Sequence, residues 1–195
     1  MRAGVLALQG GFAAHAAALA RLGITACEVR RCAQLSGLDA LLLPGGESSA
    51  LLRLMDGEAW FDALRAFHQR GGALLGTCAG CILLARTVSG PSQPSARLID
   101  IEVVRNAYGR QIASFETSLR APALGGELPG VFIRAPKLRG LGDGVEALAW
   151  HGPDPVLVRQ GRVTCATFHP ELTDDLRVHE LWIESAAGRT GFGRA

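Results

Sequence analysis

No stretch of this chain approaches the ~20 consecutive apolar residues that a bilayer-spanning helix needs. Its basic residues, nearly all arginine, never gather into a block, and a formal net charge of +2 gives no reason to expect nucleic acid or an anionic membrane. There is no internal repeat and no low-complexity segment, which sets aside solenoids and long polar tails. Five cysteines, an odd number and widely spaced apart from one pair, argue against a disulfide framework and suit a reducing compartment. Arg2, the apolar Ala3 to Leu8 and the small residues Ala16 to Ala18 loosely resemble a secretory signal. Gln9, Gly10, Gly11 and His15 interrupt it, however, and a signal core runs unbroken for ~7 to 15 residues. The expectation is a cytoplasmic protein. At 195 residues, with 48% of them hydrophobic, residues 1–195 are expected to form one domain with a substantial core.

Apolar runs and amphipathic segments alternate along the first half. Ala3 to Leu8, Thr25 to Val29, Asp39 to Leu43 and Gly72 to Leu75 read as buried strands; Phe12 to Leu22, Ser49 to Met55 and Ala59 to Gln69 read as helices. Such alternation implies a parallel sheet with right-handed crossovers and helices on both faces. After Leu98 the pattern turns mainly extended, with strands expected at Ile101 to Arg105, Ala113 to Ser118, Val131 to Arg134, Val145 to Trp150, Val156 to Arg159 and Arg162 to Thr167. A last helix is expected from about Thr173 to Ser185. The expected class is therefore α/β, a three-layer sandwich with a mostly parallel central sheet and antiparallel additions. Gly90, Pro91, Ser92 and Pro94 mark Val88 to Arg97 as a loop.

Three strings carry chemistry. Gly76, Thr77, Cys78, Ala79 and Gly80 flank a cysteine with glycines between an apolar strand and a helical segment from Cys81 to Ala85. This is the thiol form of the nucleophile elbow, a turn so tight that the central side chain stands clear of the sheet. The free N–H groups of a helix start also favour the thiolate, the attacking form. Phe168, His169, Pro170 and Glu171 follow an extended stretch, where positions two apart project to one side, so His169 and Glu171 can face one point as base and orienting acid. Leu41 to Leu43 run into Pro44, Gly45, Gly46, Glu47 and Ser48, a turn whose backbone can come close to a ligand. The amides of Gly46 and Ala79 are the candidate oxyanion donors. Taken alone, Pro-Gly-Gly is an ordinary turn and His169 an ordinary strand-end histidine. Cys78 and Cys81 also form a C-x-x-C unit, open to a redox or zinc reading. Zinc would need a second close pair, which Cys27, Cys32, Cys165, His151 and His169 do not provide; as a resolving thiol, Cys81 lies one turn into an apolar helix and reads better as core.

Gly-Thr-Cys-Ala-Gly with a later His-Pro-Glu resembles the triad-type, class I glutamine amidotransferases. Longer strings resemble one branch of that family, the glutaminase subunits of pyridoxal 5′-phosphate synthase: Pro44 to Ser48 (PGGES), Arg105 to Gln111 (RNAYGRQ), Ser114 to Glu116 (SFE), Phe132 to Pro136 (FIRAP) and Phe168 to Thr173 (FHPELT). The likeness runs from Val5 to the helix near Leu181. Ser49 stands where threonine is usual and Cys81 where an aliphatic residue is usual, while Val88 to Arg97 follows no family pattern. The resemblance implies a flavodoxin-like fold, hydrolysis of L-glutamine by Cys78, His169 and Glu171, and a substrate pocket of Gly46, Glu47, Ser48, Arg105, Ile133 and Arg134. It implies no cofactor, no metal, and a barrel-shaped synthase subunit as partner in a hetero-oligomer. A free-standing amidase of the same fold and a catalytically dead relative are the alternatives.

Overall fold

The computed structural model describes residues 1–105 and 114–188. In chain order these form β1 (Ala3–Leu6), α1 (Phe12–Arg21), β2 (Cys27–Val29), β3 (Ala40–Leu43), α2 (Ser48–Met55), α3 (Trp60–Gln69), β4 (Ala73–Thr77), α4 (Ala79–Leu84) and β5 (Ala85–Ser89). There follow β6 (Ile99–Val104), β7 (Ser114–Ala121), β8 (Gly126–Ile133), β9 (Lys137–Leu141), β10 (Glu146–His151), β11 (Asp154–Gln160), β12 (Val163–Ala166) and α5 (Arg177–Ala186).

Nine strands make one sheet in the order β2-β1-β3-β4-β12-β11-β10-β7-β8. The pairings from β2 to β12 are parallel, and those from β12 to β8 are antiparallel. Alternation within β3 shows how the layers arise. Leu41 and Leu43 join one core with Leu51 and Met55 of α2, Leu64 and Phe67 of α3 and Leu83 of α4. Ala40 and Leu42 join the other with Leu19 of α1 and Val178, Leu181 and Trp182 of α5. Side chains alternate with period two along a strand, so an all-apolar strand demands helices on both faces. The three-layer α/β expectation holds.

Two features differ from the expected arrangement. β5, β6 and β9 separate into their own three-stranded sheet. Neither β5 nor β9 was expected, and β5 takes Ala85, Val88 and Ser89 out of the anticipated helix and loop. Val88 is buried between exposed Thr87 and half-buried Ser89, an alternation too short to read against the following Gly-Pro. The final helix starts at Arg177 rather than Thr173, because Pro170–Leu172 form a 3₁₀ turn first. Asn106 to Gln111 of the RNAYGRQ string, and the expected strand start at Ala113, lie outside the described residues.

Candidate active site

The parallel half of the sheet brings the three strings together at the carboxyl ends of adjacent strands, where open α/β sheets place their ligands. β4 lies between β3 and β12, in register with Leu43 opposite Gly76 and Thr77 opposite Ala166. Each strand ends in one of the strings. Cys78 follows β4 directly and caps α4 with φ 46° and ψ −102°, a conformation that a side-chain-bearing residue adopts at a cost of about 1–3 kcal/mol. The elbow closes only because its flanking residues lack side chains: a Cβ on Gly80 would strike the Leu43 carbonyl, and one on Gly76 would lie 2.6 Å from the Gly80 carbonyl carbon. Gly45 comes so close to the His169 ring that a side chain there would occupy the imidazole's place.

His169 Nδ1 lies 2.7 Å from Glu171 Oε1. The two meet across the 3₁₀ turn rather than along an extended strand, so the juxtaposition expected from the sequence holds while its local cause differs. Glu171 is buried, its side chain 2% exposed, and the N-cap glycine of α1 packs against it: a Cβ on Gly11 would lie 3.0 Å from Glu171 Oε1. α1 has no acidic residue in its first turn and no side-chain cap, so the Glu171 carboxylate supplies negative charge at that helix start. Burial lowers the basicity of His169, but the Cys78 sulfur and the Glu171 carboxylate raise it further, leaving a pKa of about 10. Close as that sulfur is, the thiol is aligned on the Ile133 carbonyl at 3.9 Å, and His169 Nε2 makes no aligned hydrogen bond. Sulfur and imidazole are nonetheless close enough for the pair to interact.

Cys78 and His169 open into a cavity of about 170 Å³ lined also by Gly46, Glu47, Ser48, Arg105, Ile133 and Arg134. This lies below the ~300 Å³ of drug-sized sites, a size for an amino acid. Every substrate residue expected from the resemblance is thus on one cavity, with Gln9, Ile82 and Pro136 added. Arg105 and Arg134 each stand 3.9 Å from the Glu47 carboxylate. The 45–46 and 46–47 peptides are each tethered, since Gly45 C=O accepts from Gly11 N–H at 3.0 Å and Gln9 Oε1 accepts from Glu47 N–H at 3.2 Å. Gly46 N–H has no partner among the described residues, and Ala79 N–H, at the first position of α4, has no intrahelical acceptor. Gln93, from the loop without family pattern, accepts a 2.9 Å hydrogen bond from Ser48 Oγ and so buttresses the cavity wall.

Cys81 is fully buried, and a hydrogen bond with Cys165 together with burial pushes its thiol well up, which suits core and not a resolving thiol. All five cysteines are free, and no cluster of three metal-binding side chains occurs among the described residues. No helix among the described residues is long and apolar enough to cross a membrane.

Two buried histidines escaped the sequence reading. His15 Nε2 lies 3.0 Å from Thr77 Oγ1 and 3.2 Å from Glu171 Oε2, and its Nδ1 lies 2.9 Å from His179 Nε2. The signal available was the helical spacing of His15 with Ala18 and Leu19, the buried face of α1. Burial, then the neighbouring His179 and His169, hold His15 well below the usual imidazole range; burial and then Arg21 lower His179 to about 4. Both rings are thus neutral in the folded state while unfolded histidine protonates near pH 6.5. Below that value the unfolded chain binds more protons, so stability should fall between pH 6.5 and about 4, by up to about 1.4 kcal/mol per pH unit per ring. His169 acts in the opposite window: its stabilisation is present below pH 6.5 and is lost as pH rises towards 10. Urea midpoints at pH 7 and pH 5 should differ in the wild type and differ less in His179→Gln. Equal slopes in the two proteins would show that His179 is not buried neutral.

Comparison with known proteins bears on the family of the whole chain. The family model of the SNO glutamine amidotransferase family matches residues 5–187. A pyridoxal 5′-phosphate synthase subunit PdxT from Thermus thermophilus is 52% identical over 94% of this chain and 96% of its own. One from Koribacter versatilis is 50% identical over 94% and 95%. A solved structure described as a glutamine amidotransferase superposes with a TM-score of 0.90 at 50% identity, covering 96% of this chain and 100% of that one. With a match across nearly the whole length, and with the cysteine elbow, the His–Glu pair and the tethered glycine loop on one cavity, the chain belongs to the SNO glutamine amidotransferase family.

Proposed function

We propose that this chain hydrolyses L-glutamine to L-glutamate and ammonia at Cys78 and hands the ammonia to a synthase subunit that builds pyridoxal 5′-phosphate. The observation that carries this reading is the opening of Cys78, His169 and the Gly46 loop onto one cavity of amino-acid size. The Cys78 thiolate attacks the side-chain carboxamide carbon, with the thiol proton resting on His169. The Gly46 and Ala79 amides receive the oxyanion. His169, oriented by Glu171, donates its proton to the leaving nitrogen, and ammonia departs as the thioester forms. The same ring then takes a proton from water, which cleaves the thioester and frees glutamate.

At the other end of the substrate, the guanidinium groups of Arg105 and Arg134 suit the α-carboxylate, and Glu47 between them suits the α-ammonium. The whole chain acts as one glutaminase domain, in the cytoplasm, with no metal or cofactor of its own.

The test supplies glutamine labelled with ¹⁵N in the amide to the chain and the synthase subunit together. Glutamate should accumulate and the label should enter the synthase product. Arg105→Ala and Arg134→Ala should raise KM by roughly 10- to 100-fold, equivalent to about 1.5–3 kcal/mol of charge-assisted binding, with a smaller change in kcat. Absence of glutamate release would refute the reading. Release without transfer of label would leave a free-standing glutaminase.

A further inference from the structure

Behind the Cys78, His169 and Glu171 set, four elements bring polar groups to one buried point. His15 comes from the first turn of α1, Thr77 from the end of β4, Glu171 from the 3₁₀ turn and His179 from α5. His15, Thr77 and His179 are each 0% exposed. Four polar side chains sealed from water would be costly here unless their protons were arranged to satisfy one another.

One arrangement turns a donor towards the carboxylate and leaves no ring N–H without an acceptor. The Glu171 carboxylate can only accept, so His169 carries its proton on Nδ1, facing Oε1 at 2.7 Å. His15 Nε2 stands 3.2 Å from the other oxygen, Oε2, which has no aligned hydrogen bond of its own. With a proton on Nε2, His15 donates to Thr77 Oγ1 at 3.0 Å and presents the positive end of the same N–H to Oε2. Its Nδ1 then accepts from His179 Nε2–H at 2.9 Å, and the ring nitrogen of the pair left without a partner is an acceptor, His179 Nδ1. In the reverse arrangement a lone pair of His15 would face the carboxylate and His179 would hold a buried N–H with nothing to bond. An orphaned buried N–H together with a repelled carboxylate makes this the worse state.

We infer that His15, held in turn by His179, is a positioning residue for glutamine hydrolysis, fixing the far oxygen of Glu171 and through it the orientation and tautomer of His169. The inference rests on the proposed glutaminase reaction. An imidazole at residue 15 that merely filled space would be replaceable by any side chain of similar bulk. One that supplies an N–H to the carboxylate side is replaceable only by another donor at the same place, and the glutamine amide can occupy the Nε2 position whereas leucine leaves Oε2 facing hydrocarbon.

The test has two parts, the first of which needs no activity. In the isolated full chain labelled with ¹⁵N at histidine, long-range nitrogen–proton spectra should show His15 and His179 protonated on Nε2 alone and a proton on His169 Nδ1. A proton on His15 Nδ1 would overturn the inference. In the second part, glutamate release is measured with the synthase subunit present. His15→Leu should lower kcat by about 10- to 100-fold, the usual loss when the outer support of a reacting side chain is removed, with KM within a few fold. His15→Gln should stay within a few fold of wild type, and the two variants should melt within a few degrees of each other. Equal kcat in the two folded variants would reduce His15 to core packing and sink the proposal. If His15→Leu does not fold, His179→Phe takes its place and should lower kcat while mixing the His15 tautomers; an unchanged kcat and a single tautomer there would equally count against the idea. A wild-type pair that releases no glutamate would remove the reaction, and the tautomer pattern would still decide the network.

Discussion

Cys78→Ala is expected to reduce glutamate release by at least about four orders of magnitude, to the limit of detection in a coupled assay of the chain with the synthase subunit. The nucleophile and its base act as a unit, so His169→Asn should cost about as much, and the double variant little more than either single one. Glu171→Gln should fall between, by about 10²- to 10⁴-fold, because an amide at residue 171 still fills the space but no longer holds the ring in one tautomer. Cys81→Ser is the contrasting variant. Its side chain lies in the core against Cys165 and does not line the cavity, so kcat should remain within a few fold of wild type. Comparable losses in Cys81→Ser and Cys78→Ala would revive a paired-thiol chemistry and contradict the mechanism. All variants should retain KM for glutamine wherever turnover is measurable, since binding falls to the arginines and the loop.

Mixing the chain with saturating synthase subunit is expected to raise kcat for glutamate release by about 100- to 1000-fold over the chain alone. Two observations motivate this. The thiol also faces the Ile133 carbonyl, at 3.9 Å, and the 45–46 peptide is tied back to Gly11. One misdirected oxyanion donor is worth about that factor by itself. The rim of the cavity is also open: Ile133 is 38% exposed and the Arg134 side chain 68% exposed, both at the end of the outermost strand of the sheet. A protein seated there would press on the strand whose Ile133 carbonyl faces the thiol. The chemistry demands such a coupling, because ammonia released into neutral water is largely protonated and no longer a nucleophile. Steady-state rates with and without the partner decide the matter, and identical turnover in both would discard activation by docking.

Much of this was legible in residues because the signals are local. Cys78 between glycines, Gly45–Gly46 after Leu41–Leu43 and His169 two residues before Glu171 are short patterns whose geometry follows from backbone sterics, and the alternating cores of the parallel strands follow from unbroken apolar runs. What escaped notice depends on partners far along the chain. β5 emerges from a helix without a breaker and gains its identity only by pairing with β6, and β9 by pairing with the other side of β6. His15 sits in a run of alanines and meets His179 across 164 residues of sequence. A single histidine on an apolar helix face carries no mark of what it will face. Gln9 likewise reads as a loop residue until Glu47 N–H is found against it.

The place of β12 in the sheet has a consequence for synthesis. β4 is paired on one side with β3 and on the other with β12, which lies close to ninety residues further along. Until Val163–Ala166 have left the ribosome, Ala73–Thr77 is an open margin of mostly apolar residues offering unpaired backbone groups, the template on which strands from other molecules add. Nascent chains halted before residue 163 should therefore be both inert and prone to clump. Insertion of β12 ends both conditions in one step, joining the base to the nucleophile as it seals the gap. A cell would thus never hold a half-made copy that consumes glutamine without an outlet for the ammonia.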